Sequence, residues 1–184
     1  MNMPVNSQAV IDFWYANRVR TQWFAATPDL DHEILTQYET LWLSAAAGEL
    51  DVWREHGKGC LALVIILGQF PLYMFRNQAK SFSTERKAVE IAWHAVKHNL
   101  DQNLDKDQRI FLYMPFMHSE FMAEQDLSVK LYRENNLDDY LKFAEHHRNI
   151  VKQFGRFPHR NKILGRISTE EEIKYLESAD GYKG

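Results

Sequence analysis

Residues 60–67 are apolar without interruption, and they sit inside a stretch, 59–69, that reads as a helix. A helix that is apolar on every side has no face to offer to water, so other elements must surround it. That demand calls for a protein built in layers, with this segment at its centre. The run is less than half of the ~20 residues a membrane-spanning helix requires, so it reads as a core helix and no membrane crossing is expected.

The elements that surround it are expected to be helices. The 184 residues hold only five prolines and eight glycines, and apolar residues recur at three- and four-residue spacing over long stretches, with almost no strand-like alternation. A first short helix is expected from Ser7 through Trp14. A second starts at Pro28-Asp29, turns Ile34, Leu35, Tyr38, Leu41, Trp42 and Ala45 inward, and stops at Gly48. Pro71 kinks or ends the central helix. A fourth helix is expected over 83–99. The fifth is capped by Asp105 with Gln108 and bent at Pro115, and a sixth covers 123–135. The seventh spans 138–154 and is closed by Gly155. An eighth opens with a capping box of Ser168 and Glu171 and ends near Ser178. The expectation is one all-α domain over 1–184, with its core at about 7–178 and the ends frayed. Short connections imply antiparallel hairpins, and starts near 29, 83 and 123 recur at 40 to 54 residues without a strict repeat.

Aromatics make up 13% of the chain, enough for a core built largely from rings. The one cysteine, Cys60, lies in the apolar run, and the first twelve residues have neither a basic start nor a sustained apolar segment. Both point to a cytoplasmic protein. Net charge is −3, yet residues 146–167 carry six Arg or Lys and no acid. Removing those six charges from the total leaves the rest of the chain at −9. A basic segment in an acidic protein does not suit nucleic acid, which generally needs a broad basic surface.

No phosphate-binding glycine loop, dinucleotide fingerprint, serine elbow, paired cysteine or His-Glu-x-x-His occurs, and Gly57-Lys58-Gly59 is too short to count. No cofactor and no metal site are assigned. What remains is a set of polar residues in apolar surroundings. His147 is flanked at helical spacing by Phe143, Ala144, Ile150 and Val151, and His118 by Met114, Phe121 and Met122, with Glu120 two residues on. Such groups need partners when buried, and a network locking helices in register is preferred over a metal or acid–base site. The spacing His118-x-Glu120 is unlike the common helical zinc patterns. His94 and His98, one turn apart at a helix carboxyl end, read as partners of the helix dipole. For Arg148, Arg156 and Arg160 two accounts stand together: internal pairing with carboxylates and carbonyls, or a pocket for an anion, which guanidinium forks suit.

These residues also complete a resemblance. Leu61-Ala62-Leu63-Val64-Ile65-Ile66-Leu67 is followed by Gln69-Phe70-Pro71 and Phe75-Arg76. Then come Phe111-Leu112-Tyr113-Met114-Pro115-Phe116-Met117-His118-Ser119-Glu120, His147-Arg148, and Phe154-Gly155-Arg156-Phe157-Pro158-His159-Arg160-Asn161. Over about residues 10–176 the chain resembles the bacterial family catalogued as domain of unknown function number 924. The resemblance implies an all-α, tetratricopeptide-like fold of stacked helical hairpins and brings no established reaction. Where the family typically has Asp-Gln-Phe-Pro-Arg-Asn, this chain has Gly68-Gln69-Phe70-Pro71-Leu72-Tyr73, without that acid and base. The residues gathered as ligand-binding or network candidates are Gln69, Arg76, His118, Glu120, His147, Arg148, Arg156, His159, Arg160 and Asn161. The expected role is a non-catalytic module for a small anion or a partner peptide. The alternative is an enzyme acting on a phosphorylated or carboxylated metabolite through His118, Glu120, His147 and His159.

Overall fold

Helix signals in the sequence correspond to caps in the structure. In the computed structural model, which describes residues 6–25, 27–179, 181 and 182, every regular element is helical and no strand occurs among the described residues. Helix α1 (Ser7–Tyr15) is capped by Asn6, one residue before the expected Ser7, and α2 (Asn17–Arg20) follows after a break at Ala16. Helix α3 (Pro28–Ala47) has Pro28 in its first turn, Thr27 accepting from the Leu30 N–H, and Asp29 and Asp31 at its positive end. It stops at Gly48, whose φ of 86° is left-handed and costs a glycine nothing.

The apolar run forms α4 (Gly57–Val64), a π-helical turn over Ile65–Gln69, and α5 (Phe70–Met74). All residues from 59 to 70 are buried, as a helix without a polar face requires. The stretch Gly57–Met74 has the length and hydropathy of a membrane span, yet 83% of it lies buried inside the protein. Pro71 does not end this segment. Its ring would clash with the carbonyl four residues back, that of Leu67, and it has no N–H to offer it. The π turn widens the chain at this point, and the Leu67 carbonyl is served by the Thr84 hydroxyl at 2.6 Å, which itself accepts from Trp42 Nε1 at 3.0 Å. The Thr84 side chain, at the N-cap of α6 (Glu85–Lys97), is therefore diverted from capping its own helix.

Helix α7 (Lys106–His118) begins at the expected reciprocal box, with Asp105 and Gln108 each bonding the other's backbone N–H, and holds Pro115 inside it. Helices α8 (Met122–Glu134) and α9 (Asp138–Phe154) pack on each other across a connection at 135–137. Gly155, with φ 71°, closes α9. Helix α10 (Glu170–Glu177) is opened by Thr169 with Glu172, one residue past the expected Ser168 and Glu171. Among the described residues the count exceeds the eight expected because α2 follows the expected first helix and the apolar run is divided at its π turn.

The chain packs as two compact units. The first, residues 1–76 and 80–115, has a ring-built core in which fully buried Trp14 meets Trp23, Phe70, Tyr73 and Phe111 at centroid distances of 5.3 to 5.9 Å. The second, residues 77–79 and 116–184, is centred on Ile150, Val151 and Phe157. Met122, Phe154, Tyr175 and Tyr182 pack against these three. Tyr182 lies beyond the point where fraying was expected; Asp180, Lys183 and Gly184 fall outside the described residues.

Candidate functional site

Gln69 and Arg76 lie in the first unit and the remaining candidates in the second. Gln69 ends the π turn, buried, with its Nε2 lacking a hydrogen-bond partner. Arg76 forms a fork with Asp31, at 2.7 and 2.8 Å, which engages that guanidinium within the fold.

In the second unit the loop after α9 is tied down by two carboxylates. Glu120 takes Arg166 in a two-point pair at 2.7 and 2.9 Å and also accepts the Phe157 N–H at 2.7 Å. Burial pushes its pKa up, but the bonds from Arg166 and Phe157 outweigh that and hold it below the ordinary value. Glu172 takes Arg156 at 2.6 and 2.8 Å, and the Asn161 amide and Thr169 N–H also point to it. The Arg156 bond is the largest reason its pKa is lowered to about 2, against a smaller upward push from burial. Asn161 joins the two carboxylates: its Oδ1 accepts from Arg166 at 2.9 Å while its Nδ2 donates to Glu172 at 3.1 Å. Arg148 pairs with Asp126 at 2.5 Å. Glu120, Arg148, Arg156 and Asn161 are thus engaged in holding the fold. The sequence reading missed Arg166 and Glu172; the basic segment and the capping-box spacing were the signals that contained them.

Fully buried Phe157 lies against three of the other candidates, His147, His159 and Arg160. Its ring lies 5.5 Å from His147 and 5.6 Å from His159, and the Arg160 guanidinium carbon stands 4.7 Å from its centroid. His118, at the end of α7, is 6.1 Å from His147. The His147 Nδ1 is 2.8 Å from the Phe143 carbonyl, to which it donates, and the Nδ1 of His159 is buried without a partner. Among the described residues none of the three imidazoles is bonded to a carboxylate. Desolvation first, and then the positive charge of Arg160 and the neighbouring imidazoles, hold all three neutral. His147 and His159 are lowered to about 4 and His118 well below its ordinary value; the Phe143 carbonyl opposes the shift at His147 and Glu120 opposes it at His159. Among the described residues no group of three or more His, Cys, Asp or Glu is placed to share a metal ion. His94 is engaged by the Arg54 carbonyl at 3.1 Å and lies tilted against His98, so it is tied to the 3-10 helix Asp51–Glu55 as well as placed at the end of α6.

The described residues form an all-α fold. The chain belongs to a family of bacterial proteins of unknown function (DUF924), whose model matches residues 10–180. It is similar to the solved structure of a protein of unknown function, ATU0120, from Agrobacterium tumefaciens. The two share 38% identity over 93% of this chain and 96% of that one, with a TM-score of 0.88. No curated protein matches the chain.

Proposed function

We propose that the protein is a non-catalytic module that binds a small carboxylate or phosphate anion at His118, His147, His159 and Arg160. The observation that carries this reading is the gathering of three imidazoles and a guanidinium in desolvated surroundings with no carboxylate bonded to the rings. An anion there would pair with the Arg160 guanidinium and accept the single N–H that neutral His118 and His159 can each offer, while His147, whose N–H is donated to the Phe143 carbonyl, lines the site. The alternative, acid–base catalysis, fits less well. An imidazole with a pKa of about 4 is a weak base at neutral pH, and Glu120 is spent on Arg166 and Phe157. A cytoplasmic setting belongs to the same reading. It is supported by the single buried cysteine, whose thiol burial pushes up to about 11, leaving it unreactive.

The test is thermal unfolding with inorganic phosphate, acetate and chloride at matched ionic strength. Phosphate or acetate at 100 times its dissociation constant should add ~2.7 kcal/mol to the wild-type protein. Arg160→Ala and His159→Gln should keep their helical circular dichroism and lose that increment, retaining only the general salt effect that chloride and the variants define. A wild-type protein that responds to no anion beyond chloride sinks the reading.

A further inference from the structure

A neutral imidazole carries one N–H and one lone pair, so the bonds it already makes fix what it can still offer. At His147 the backbone sets that division. Its Nδ1 stands 2.8 Å from the Phe143 carbonyl, and a carbonyl only accepts, so Nδ1 holds the proton and Nε2 keeps a bare lone pair. No hydrogen bond from the described residues reaches that Nε2, in a side chain only 5% exposed. The Tyr182 ring packs edge-on against His147 and His159 at 4.8 and 4.9 Å without bonding either. The Nδ1 of His159 is likewise buried without a partner. His118, His147 and His159 together hold three N–H groups and three lone pairs, and the Phe143 carbonyl takes one N–H, so three lone pairs face two remaining donors.

We propose that the ligand of this cluster is an oxyanion that carries its own O–H, hydrogen phosphate or the carboxylate of a 2-hydroxy acid, and that it donates this O–H to His147 Nε2 while its charged oxygens face Arg160. The proposal rests on the anion-binding reading and names the chemical class of the ligand. An oxyanion with acceptor oxygens alone, such as sulfate or acetate, would set a negative oxygen against the His147 lone pair or leave that buried nitrogen without a donor. The guanidinium accepts either kind of oxyanion equally well, so Arg160 supplies the attraction and His147 the discrimination. The other charged groups that reach His159, Glu120 and Arg166, are spent on each other and leave the lone pairs of the cluster to the ligand. A site that must hydrogen-bond its ligand rejects an analogue lacking that group, and one such bond is worth roughly tenfold in affinity.

The experiment titrates wild type and His147→Phe with phosphate, sulfate, glycolate and acetate by calorimetry at neutral pH and constant ionic strength. Wild type should bind phosphate about tenfold tighter than sulfate, or glycolate about tenfold tighter than acetate, and the pair that shows the preference identifies the source of the O–H. His147→Phe keeps a ring in place but has no lone pair, so it should lose the preference and keep the weaker affinity for the acceptor-only partner. A second measurement needs no variant: nitrogen-15 resonances of the wild-type imidazoles should show His147 Nε2 unprotonated, and shifting with the favoured probe but not with its acceptor-only partner. Equal affinities within both pairs, or a proton on His147 Nε2 in the free protein, overturn this inference and leave the anion reading standing. Binding of none of the four probes overturns the anion reading, and this inference with it.

Discussion

Glu120 spends both carboxylate oxygens on the loop after α9, pairing Arg166 and accepting the Phe157 N–H. Breaking a mostly desolvated pair leaves the other charge exposed to poor solvation, which costs more than the pair itself is worth. Glu120→Gln should therefore destabilise by about 2 kcal/mol, because the amide can still accept from Phe157 but cannot balance Arg166. Arg166→Met should cost a similar amount, and the double variant less than the sum, as a denaturant double-mutant cycle would show. Additive losses would mean that the two side chains act separately. Sequence alone marked Glu120 by its place two residues beyond His118, past the end of α7, where helical spacing does not say which way a residue faces. It did not reveal Arg166 as its partner, because 46 residues of intervening chain set that meeting and no local pattern encodes it.

At the scale of elements, ends were legible wherever a local capping chemistry fixes them. Gly48 and Gly155 stop their helices in the left-handed region, and Asp105 with Gln108 opens α7. The shift from Ser168 to Thr169 shows the limit of that reading, since two adjacent hydroxyls each have an acid three residues on, and the one whose partner Glu172 is buried against Arg156 prevails. The π turn before Pro71 was not legible at all. Its physical basis is tertiary: the carbonyl that Pro71 cannot serve is bonded by Thr84, from another helix. Thr84→Val keeps the shape but leaves the Leu67 carbonyl and the Trp42 indole N–H without partners, so it should cost roughly 2 to 4 kcal/mol, while Thr84→Ser should lose under ~1 kcal/mol. Equal urea midpoints for Val and Ser would show that the turn does not depend on this bond.

For the molecule as a whole, the basic segment in an acidic chain resolves into two uses. Arg148, Arg156 and Arg166 pair with Asp126, Glu172 and Glu120, and Arg160 stands over the Phe157 ring near the imidazoles. Composition revealed the segment but not this division, which depends on where the carboxylates fold to. The division makes stability pH-dependent with a definite sign. His147 and His159 titrate at about 4 when folded and near 6.5 when unfolded, so between these values the unfolded chain binds more protons. Their contribution is complete above pH 6.5 and is lost as pH falls to about 4. The loss is at most about 3 kcal/mol for buried His147 and less for half-buried His159, and His118 adds in the same direction. Glu172, lowered from 4.5 to about 2, contributes stability that persists above pH 4.5 and is lost over that lower interval. Urea midpoints measured from pH 8 to 3 should therefore decline in two successive stages. The variant carrying His147→Phe and His159→Phe keeps apolar rings in both positions and cannot protonate there. It should flatten most of the first stage and leave the second intact, whereas Glu172→Gln should start from a lower stability and flatten the second. If the double histidine variant falls between pH 6.5 and 4 as steeply as wild type, His147 and His159 are not held neutral by the fold.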